Sequence, residues 1–335
     1  MHDDAGTSTG RVRPLVALAL AVSLVAAGCV TPSADPASSD DQGRTIEHAT
    51  GTTVVPQDVE RVVALEWNLV EDLLALGIQP VGVADVDGYE KWVKAEPALA
   101  DDVEDVGTRQ EPNLETIASL DPDLILGVEF RHAEIEDRLD QIAPTLTFDP
   151  YPGEGGQTQF DRVMDNFRTV AQAVDRNAEA NATLADLGTT FDDAEQRLQA
   201  ANGTEHEIVL AQAFTQEGSP TVRLLTNTSF GVQVLERIGL ENAWEDEFQP
   251  YGFSTVGLEA LEQVEEATFL YVAQPDDDPF NGTYSDDPAW RNLTFVQEDR
   301  VYPLGADVWL FGGPLSASYL AQAVVDALAE GDEDA

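Results

Sequence analysis

The strongest constraint on the fold is an alternation of short apolar strands and amphipathic helices that occurs in both halves of the chain. In the first half, residues 62–65, 80–83 and 124–128 are apolar runs of strand length, and the last is uncharged like a strand buried on both faces. A helix separates the first two runs, and Gly77 predicts its left-handed end. Asn113 predicts the start of a shorter helix before the third run.

The second half repeats this arrangement, with predicted strands at residues 208–214, 221–225, 269–273, 301–303 and 308–311. Thr228 or Ser229 is expected to begin one helix, and Ser254 or Thr255 a shorter one. A final amphipathic helix begins near Leu315. Alternation of this kind predicts an α/β fold in which the strands are mostly parallel.

The two halves are separated by residues 159–201, where apolar side chains recur at helical spacing for more than four turns. We therefore predict two parallel-sheet α/β lobes, at residues 45–158 and 202–330, joined by a single long rigid helix. Ligands of open α/β sheets bind beyond the carboxyl ends of the strands, so the predicted ligand cleft lies between the lobes.

The N-terminus has the features of an export signal. Two arginines precede fourteen uncharged residues at 14–27, a length that suits a signal peptide better than a membrane span. The run ends in Ala-Ala-Gly-Cys, which resembles a lipoprotein signal in which Cys29 becomes lipidated. We expect a signal peptide at 1–28, a flexible tether at 29–44, and a protein anchored by lipid to the outer face of the cytoplasmic membrane. An uncleaved anchor helix is the alternative, and both general and twin-arginine export routes stay open.

The charge of the chain excludes several function classes. Lys+Arg is 17 against Asp+Glu 63, giving a net charge of -46, so a nucleic-acid partner is not expected. Only two of the cations are lysines, and such an acidic, lysine-poor composition is typical of haloarchaeal proteins soluble in concentrated salt. One cysteine rules out a disulfide framework, and four histidines leave little material for a direct metal site.

Four segments of the chain resemble ABC-transporter solute receptors for ferric siderophores, and most closely their hydroxamate and citrate branch. They read RVVALEWNLVEDLLALGIQPVGVAD (61–85), VGTRQEPNLETIASLDPDLILG (106–127), GLENAW (239–244) and DVWLFGGPLSASYL (307–320). The resemblance implies a monomeric binding protein, not an enzyme, that delivers a ferric siderophore to a permease dimer with cytoplasmic ATPase subunits. It also implies that the iron is carried within the ligand and that the protein holds no cofactor of its own.

The same resemblance implies a set of ligand-binding residues, namely Arg109, Arg131, Arg223, Trp67, Trp92, Tyr251, Trp309 and Phe311. Arg131 stands where a hydroxamate receptor has a pocket tyrosine, which resembles receptors for carboxylate siderophores. A strongly acidic protein would repel an anionic chelate unless guanidinium groups reversed the local field. The alternatives are that the arginines form surface ion pairs and that the tryptophans are ordinary core residues.

Glu115 and Glu259 lie at equivalent places, early in the short helix of each half. In the receptors that the chain resembles, such a pair docks onto arginines of the permease. The alternative is simple charge compensation, since any glutamate stabilises the first turn of a helix.

Three other function classes are alternatives to the siderophore hypothesis. A receptor for another metal chelate, such as cobalamin or haem, would share the fold and the docking glutamates without needing an arginine cluster. A lipid-anchored hydrolase needs a nucleophile and a base, and His132 and His206 leave little material for such a pair. A receptor for a bare metal ion would need about three histidines with a carboxylate.

Overall fold

The computed structural model describes residues 43–94, 96–201, 203 and 207–329. The predicted signal peptide, Cys29, nearly all of the predicted tether and His206 lie outside the described residues. Within the described ranges, no helix has both the length and the apolar character required to span a bilayer.

The N-terminal lobe begins with a hairpin and continues as alternating strands and helices. Its elements are β1 (Arg44–His48), β2 (Gly51–Val55), β3 (Val62–Ala64), α1 (Trp67–Ala75), β4 (Gly82–Val83), α2 (Val86–Trp92), β5 (Glu104–Asp105), α3 (Leu114–Ser119), β6 (Leu124–Val128), α4 (Glu129–His132), α5 (Glu136–Leu139) and β7 (Thr145–Phe148). A short 3-10 helix, Ala133–Ile135, joins α4 to α5. Two helices follow, α6 (Gln159–Ala173) and α7 (Asn177–Ala200).

The C-terminal lobe has the same alternation with one antiparallel insertion. Its elements are β8 (Ile208–Gln216), β9 (Ser219–Leu225), α8 (Phe230–Arg237), β10 (Phe253–Val256), β11 (Thr268–Val272), α9 (Pro288–Arg291), α10 (Thr294–Gln297), β12 (Val301–Pro303) and α11 (Pro314–Ala329). A 3-10 helix, Leu258–Val264, lies between β10 and β11.

Each lobe is built on a five-stranded sheet. The first has the order β5-β4-β3-β6-β7 with every pair parallel, and the second has the order β10-β9-β8-β11-β12. In the second sheet β9 runs antiparallel to both of its neighbours, because the two-residue turn at Glu217–Gly218 folds it straight back on β8. The predicted two-lobed α/β fold with a long connecting helix is confirmed.

Alternate strand residues enter different cores, which explains the uninterrupted apolar runs in the sequence. In β6, Leu124 and Leu126 pack in one core cluster while Ile125 packs in another on the opposite face of the sheet. In β8, Leu210 and Val209 likewise pack in two different core clusters. Both sheets are therefore covered on both faces, and only their strand ends are open to a ligand.

The connection between the lobes consists of two helices, of which α7 is the long one, at 24 residues. The α6 helix ends where Asp175 adopts a left-handed conformation, at φ 55°. Phe160 at the start of α6 packs in the C-lobe core, and Val170 near its end packs in the N-lobe core. Each lobe is thus held by the same rigid helices, which fits the prediction of a spine instead of a wide hinge.

Two local predictions are wrong. Residues 308–311 form no strand, because they pair with no described strand. Val308 and Leu310 fill the C-lobe core, and Trp309 and Phe311 line a cavity. Ser254 and Thr255 do not begin a helix, since they pair with β9 within β10, and the 3-10 helix starts after Gly257. The N-cap of α8 is Ser229, whose side chain accepts a hydrogen bond from the Val232 backbone.

Candidate ligand-binding site

A cavity of about 640 Å³ lies between the lobes. Polar and aromatic side chains from both sheets line it: Glu66, Asn68, Arg109, Gln110, Phe130, Arg131, Pro150, Tyr151, Gln159, Val163, Arg223, Phe230, Tyr251, Phe253, Trp309 and Phe311. Its volume is in the range of cavities that bind small molecules.

The N-lobe wall of the cavity is built from the carboxyl ends of its strands. Glu66 follows β3, Arg109 follows β5, Arg131 follows β6 and Tyr151 follows β7. Because β3 and β6 are neighbours while the chain passes from β3 outward to β4, the strand order reverses between them. Glu66 and Arg131 therefore lie at the switch point where open α/β sheets bind their ligands.

Arg109 is fixed on three sides. Its Nη1 donates to Glu66 Oε1 at 2.7 Å, and its guanidinium carbon lies 3.5 Å from the centre of the Trp67 ring. Its Nε lies 3.6 Å from Asp85 Oδ2 at the end of β4. Its Nη2 donates no hydrogen bond within the described part of the chain, so this group stays available to a ligand.

Arg131 shares the same carboxylate. Its Nε donates to Glu66 Oε2 at 2.7 Å, and its guanidinium carbon lies 4.8 Å from the centre of the Phe130 ring. Both Nη groups of Arg131 lack a hydrogen-bond partner among the residues described. Glu66 thus holds Arg109 and Arg131 side by side, and three of their nitrogen atoms have no acceptor among the described residues.

His132 fixes the backbone beneath this pair. Its side chain is fully buried, its Nδ1 accepts from the Val128 backbone at 2.9 Å, and its Nε2 donates to the Arg109 carbonyl, also at 2.9 Å. Burial lowers the pKa of His132, so the ring stays neutral in this double role. Gly127 leaves space for the ring, since a Cβ there would lie 2.9 Å from Nδ1. His132 is therefore a positioning residue and not a base.

Arg223 supplies the positive charge of the C-lobe wall. Its guanidinium carbon lies 4.8 Å from the Phe214 ring and 4.4 Å from the Phe253 ring, and its Nη1 donates to Gln212 Oε1 at 3.2 Å. It forms no salt bridge with any described residue, and burial lowers its pKa from the ordinary value. A half-buried cation without an acidic partner is unexpected in so acidic a chain, and it points to an anion supplied from outside.

An aromatic wall connects the two lobes around the cavity. Neighbouring ring centres lie 5.2 to 6.3 Å apart along the series Phe130, Tyr151, Tyr251, Phe253, Phe311 and Trp309. Burial, and then the nearby Glu66 carboxylate, raises the pKa of Tyr151, so its phenol stays protonated and can donate a hydrogen bond. The cavity therefore combines positive groups with a large apolar surface.

Six of the eight predicted ligand residues line this cavity, and two tryptophans lie elsewhere. Trp67 is only 3 % exposed because Arg109 covers its ring, and its Nε1 donates to the Ala84 carbonyl at 3.3 Å. Trp92 packs against the cores of both lobes, 6.3 Å from the Trp309 ring. Both tryptophans support lining residues instead of facing the cavity.

Among the lining residues that the sequence analysis did not identify, three carry a signal in the sequence. Glu66 comes directly after the first buried strand, where side chains reach the cleft. Tyr151 lies three residues after β7, a strand that the sequence analysis did not identify. Phe253 lies in β10, which was interpreted as the approach to a helix.

The two predicted docking glutamates are exposed and do not line the cavity. Glu115 is in the first turn of α3, which Asn113 caps by accepting from the Glu115 and Thr116 backbone at 3.0 and 3.2 Å. Glu259 is in the first turn of the 3-10 helix Leu258–Val264.

The described residues contain no group of three or more His, Cys, Asp or Glu side chains placed to hold a metal ion. The lining of the cavity combines three arginines with aromatic side chains. It offers charged N–H donors to oxygen atoms and aromatic faces to a carbon skeleton.

Comparison with known proteins agrees with this geometry. The model of a family described as periplasmic binding protein matches residues 62–308. The Fe(3+)-citrate-binding protein YfmC of Bacillus subtilis (strain 168) is 27 % identical over 306 residues, which are 90 % of this chain and 92 % of that protein. The iron(3+)-hydroxamate-binding protein FhuD of Escherichia coli (strain K12) is 30 % identical over 285 residues, covering 81 % of this chain and 88 % of its own.

A solved structure shows the same fold with a ligand in place. The crystal structure of the Fe3+–Desferal-bound siderophore-binding protein FhuD from Vibrio cholerae superposes with a TM-score of 0.74 at 31 % identity. The match covers 81 % of this chain and 98 % of that one.

Proposed function

The chain belongs to the periplasmic binding protein family, and from this premise we propose that it is the extracytoplasmic solute-binding component of an ABC importer that captures a ferric siderophore. The observation that carries the proposal is the cavity itself. Arg109, Arg131 and Arg223 converge on it from both lobes with N–H groups that no described residue accepts, beside a continuous aromatic wall.

A ferric chelate matches this combination in its chemistry. The oxygen atoms that bind the iron carry negative charge on one side, and the carbon skeleton that joins them is partly apolar. Guanidinium groups bind such oxygens through charge-assisted hydrogen bonds, and aromatic faces pack against the skeleton. The iron remains inside the ligand, so the protein needs no metal ligand of its own.

The relatives support iron as the cargo, since the two reported above are named for binding ferric citrate and ferric hydroxamate. Within that class, Arg131 favours a chelate that carries carboxylate groups, because carboxylates accept two parallel hydrogen bonds from a guanidinium. Cobalamin and haem are less well supported as cargo, because the relatives reported above are named for ferric citrate and ferric hydroxamate.

Titration of intrinsic fluorescence tests the proposal, because a ferric chelate bound beside Trp309 would quench that residue. Ferric citrate, a ferric citrate-hydroxamate, a ferrichrome-type chelate, cobalamin and haem would be compared in molar KCl. We expect saturable quenching by at least one ferric chelate and weaker binding of the same chelator without iron, which must order itself on binding. Tight binding of cobalamin or haem alone would contradict the proposal.

Delivery to the permease is the second part of the proposed function. We propose that Glu115 and Glu259, one exposed on each lobe, contact the two subunits of a permease dimer whose ATPase subunits lie in the cytoplasm. This proposal is supported by the equivalent positions of the two glutamates, each in the first turn of a short helix of its lobe. A single copy of the protein would then contact one permease subunit through Glu115 and the other through Glu259.

The site of action is proposed from the sequence of the N-terminus. Export by the segment 1–28 and lipidation of Cys29 would hold the protein at the outer face of the cytoplasmic membrane. The Cys29→Ser variant should then leave the membrane fraction or keep its precursor size. Unchanged fractionation together with unchanged size would contradict lipidation.

A further inference from the structure

We propose that Glu66 determines which ligand charge the cavity accepts. Its carboxylate offsets the charge of one arginine and orients the guanidinium groups of two, Arg109 and Arg131. This inference rests on the proposed function, because it concerns the ligand of the same cavity. Glu66 is the only acidic side chain among the described residues that line the cavity, and it stands on the wall where an anionic ligand would bind. A carboxylate at that place needs an explanation, since by charge alone it repels such a ligand.

The contacts of Glu66 show how it acts on the two arginines of the N-lobe wall. Each of its oxygens accepts a 2.7 Å hydrogen bond from a different arginine, Oε1 from Arg109 and Oε2 from Arg131. Its side chain is only 9 % exposed, and Oε1 also lies 3.3 Å from the Trp67 backbone nitrogen at the start of α1. One buried carboxylate therefore orients two guanidinium groups that arrive from different strands.

This arrangement sets the charge of the cavity. Its lining holds three arginines and one glutamate, so the described lining carries a net charge of +2. Within the N-lobe wall, the Arg109–Glu66–Arg131 group carries +1 instead of +2. A chelate of low negative charge complements this lining. A neutral chelate leaves the charged donors without anionic partners, and a highly anionic chelate is repelled by the Glu66 carboxylate.

Removing the charge of Glu66 has two opposing effects, and their balance depends on the ligand. An anionic group roughly 7–12 Å from the Glu66 carboxylate would bind roughly ten- to fiftyfold more tightly once that charge is removed, at an effective dielectric constant near 20. A glutamine has a single acceptor oxygen, so Glu66→Gln loses the hydrogen bond to one of the two arginines, and the freed side chain should weaken any ligand that must order it again by roughly two- to tenfold. The charge effect prevails for multiply anionic chelates, and the ordering effect alone acts on neutral ones.

The test compares Glu66→Gln with the unchanged protein on ferric chelates of different charge, using ferric citrate as the anionic probe and a ferrichrome-type chelate as the neutral one. We expect the ratio of anionic to neutral affinity to rise at least tenfold in Glu66→Gln. The Glu129→Gln variant removes one exposed charge two residues before Arg131, and it should leave the ratio within twofold. An unchanged ratio in Glu66→Gln, or the same rise in both variants, would overturn the proposal.

A second variant separates the charge from the bridge. Glu66→Asp keeps the charge on a side chain one methylene shorter, so it cannot reach both arginines at 2.7 Å. It should retain the charge preference and bind both chelates more weakly, and a ratio that rises as in Glu66→Gln would contradict the assignment of the preference to charge.

Binding of iron-free citrate, measured from NMR chemical-shift changes on titration, tests the role of Glu66 independently of the iron cargo. If no ferric chelate binds the unchanged protein, the proposed function fails. Tighter binding of citrate by Glu66→Gln than by Glu129→Gln would still support the role of Glu66. No gain in the response to citrate would overturn that role whatever the cargo proves to be.

Discussion

At the scale of single residues, the least expected group outside the cavity is the buried carboxyl of Asp72. It is fully buried in α1, and neither of its oxygens forms a hydrogen bond with a described residue. Burial raises the pKa of Asp72 well above its ordinary value, and the neighbouring Glu71 raises it further. The folded protein therefore favours the protonated carboxyl, whereas the unfolded chain ionises it near pH 4.

The Asp72→Asn variant should be more stable than the unchanged protein near neutral pH, because an amide is buried without a charge, whereas the Asp72 carboxylate of the unfolded chain must take up a proton or be buried as an anion. Because the folded pKa is the higher one, the native state loses stability as pH rises above the unfolded pKa. The advantage of Asp72→Asn should therefore shrink towards pH 4. Chemical denaturation at pH 4.5 and pH 7.5 measures both values, and an advantage that grows on acidification would contradict this explanation.

At the scale of elements, Glu71 joins the lobes by capping a helix of the opposite side. Its Oε1 accepts from the Ser316 backbone at 2.7 Å, and its Oε2 accepts from the Gly313 backbone at 3.2 Å and from Ser316 Oγ at 2.6 Å. These groups belong to the first turn of α11 and to the residue before it, and α11 packs in the C-lobe core. Gly312 permits this contact, since a Cβ there would lie 2.3 Å from Oε2.

Loss of this cap should weaken the attachment of α11 to the N-lobe. We expect Glu71→Ala to lower the free energy of unfolding by about 2–3 kcal/mol, since buried N–H donors of α11 would lose their acceptor. Glu90→Ala, an exposed change in α2, serves as the control and should stay within about 0.5 kcal/mol. Equal stability of the two variants in denaturant titrations would show that the cap contributes nothing.

The elements also show where prediction from sequence succeeds. The strand at 124–128 could be predicted because every residue in it is apolar and both faces of its sheet are covered. The run at 308–311 is equally apolar, but its side chains alternate between the C-lobe core and the cavity, and its backbone pairs with no described strand. Glu66 could not be assigned from its position alone, because its role depends on Arg109 and Arg131 meeting it from two other strands.

At the scale of the whole molecule, the lobes are held as one body by more than the connecting helices. Lys91 and Lys94, the only lysines of the chain, pair with Asp276 at 3.7 Å and with Asp307 at 2.7 Å across the cleft. Gln274 Nε2 donates to the Lys91 carbonyl at 3.3 Å and to the Ala306 carbonyl at 2.9 Å. The ion pairs are exposed and contribute little individually.

From the net charge of -46 we expect the stability of the fold to depend on salt. In dilute buffer the acidic groups repel one another over a Debye length of about 30 Å, and molar KCl shortens that length to about 3 Å. We expect the melting temperature to fall by several degrees or more when salt is removed. A melting temperature that stays constant from dilute buffer to molar KCl would contradict the proposed adaptation to salt.

Docking to the permease also belongs to this scale, because it needs both lobes at once. The Glu115→Arg and Glu259→Arg variants should keep ligand affinity within about twofold of the unchanged protein and should abolish uptake in cells. Their side chains are exposed and lie outside the cavity lining. A tenfold loss of affinity in either isolated variant would place that residue at the ligand instead.

The central claim is that arginines of the cavity recognise an anionic ferric chelate, and a comparison of Arg131→Ala with Arg138→Ala tests it most directly. Both changes remove one positive charge from the N-lobe, but Arg131 lines the cavity and Arg138 is exposed in α5. Because a charged hydrogen bond contributes about 1.5–3 kcal/mol, Arg131→Ala should bind the tightest ferric chelate about ten- to a hundredfold more weakly. Arg138→Ala should bind it within twofold of the unchanged protein, and an equal effect of both variants, or none of Arg131→Ala, would contradict the account.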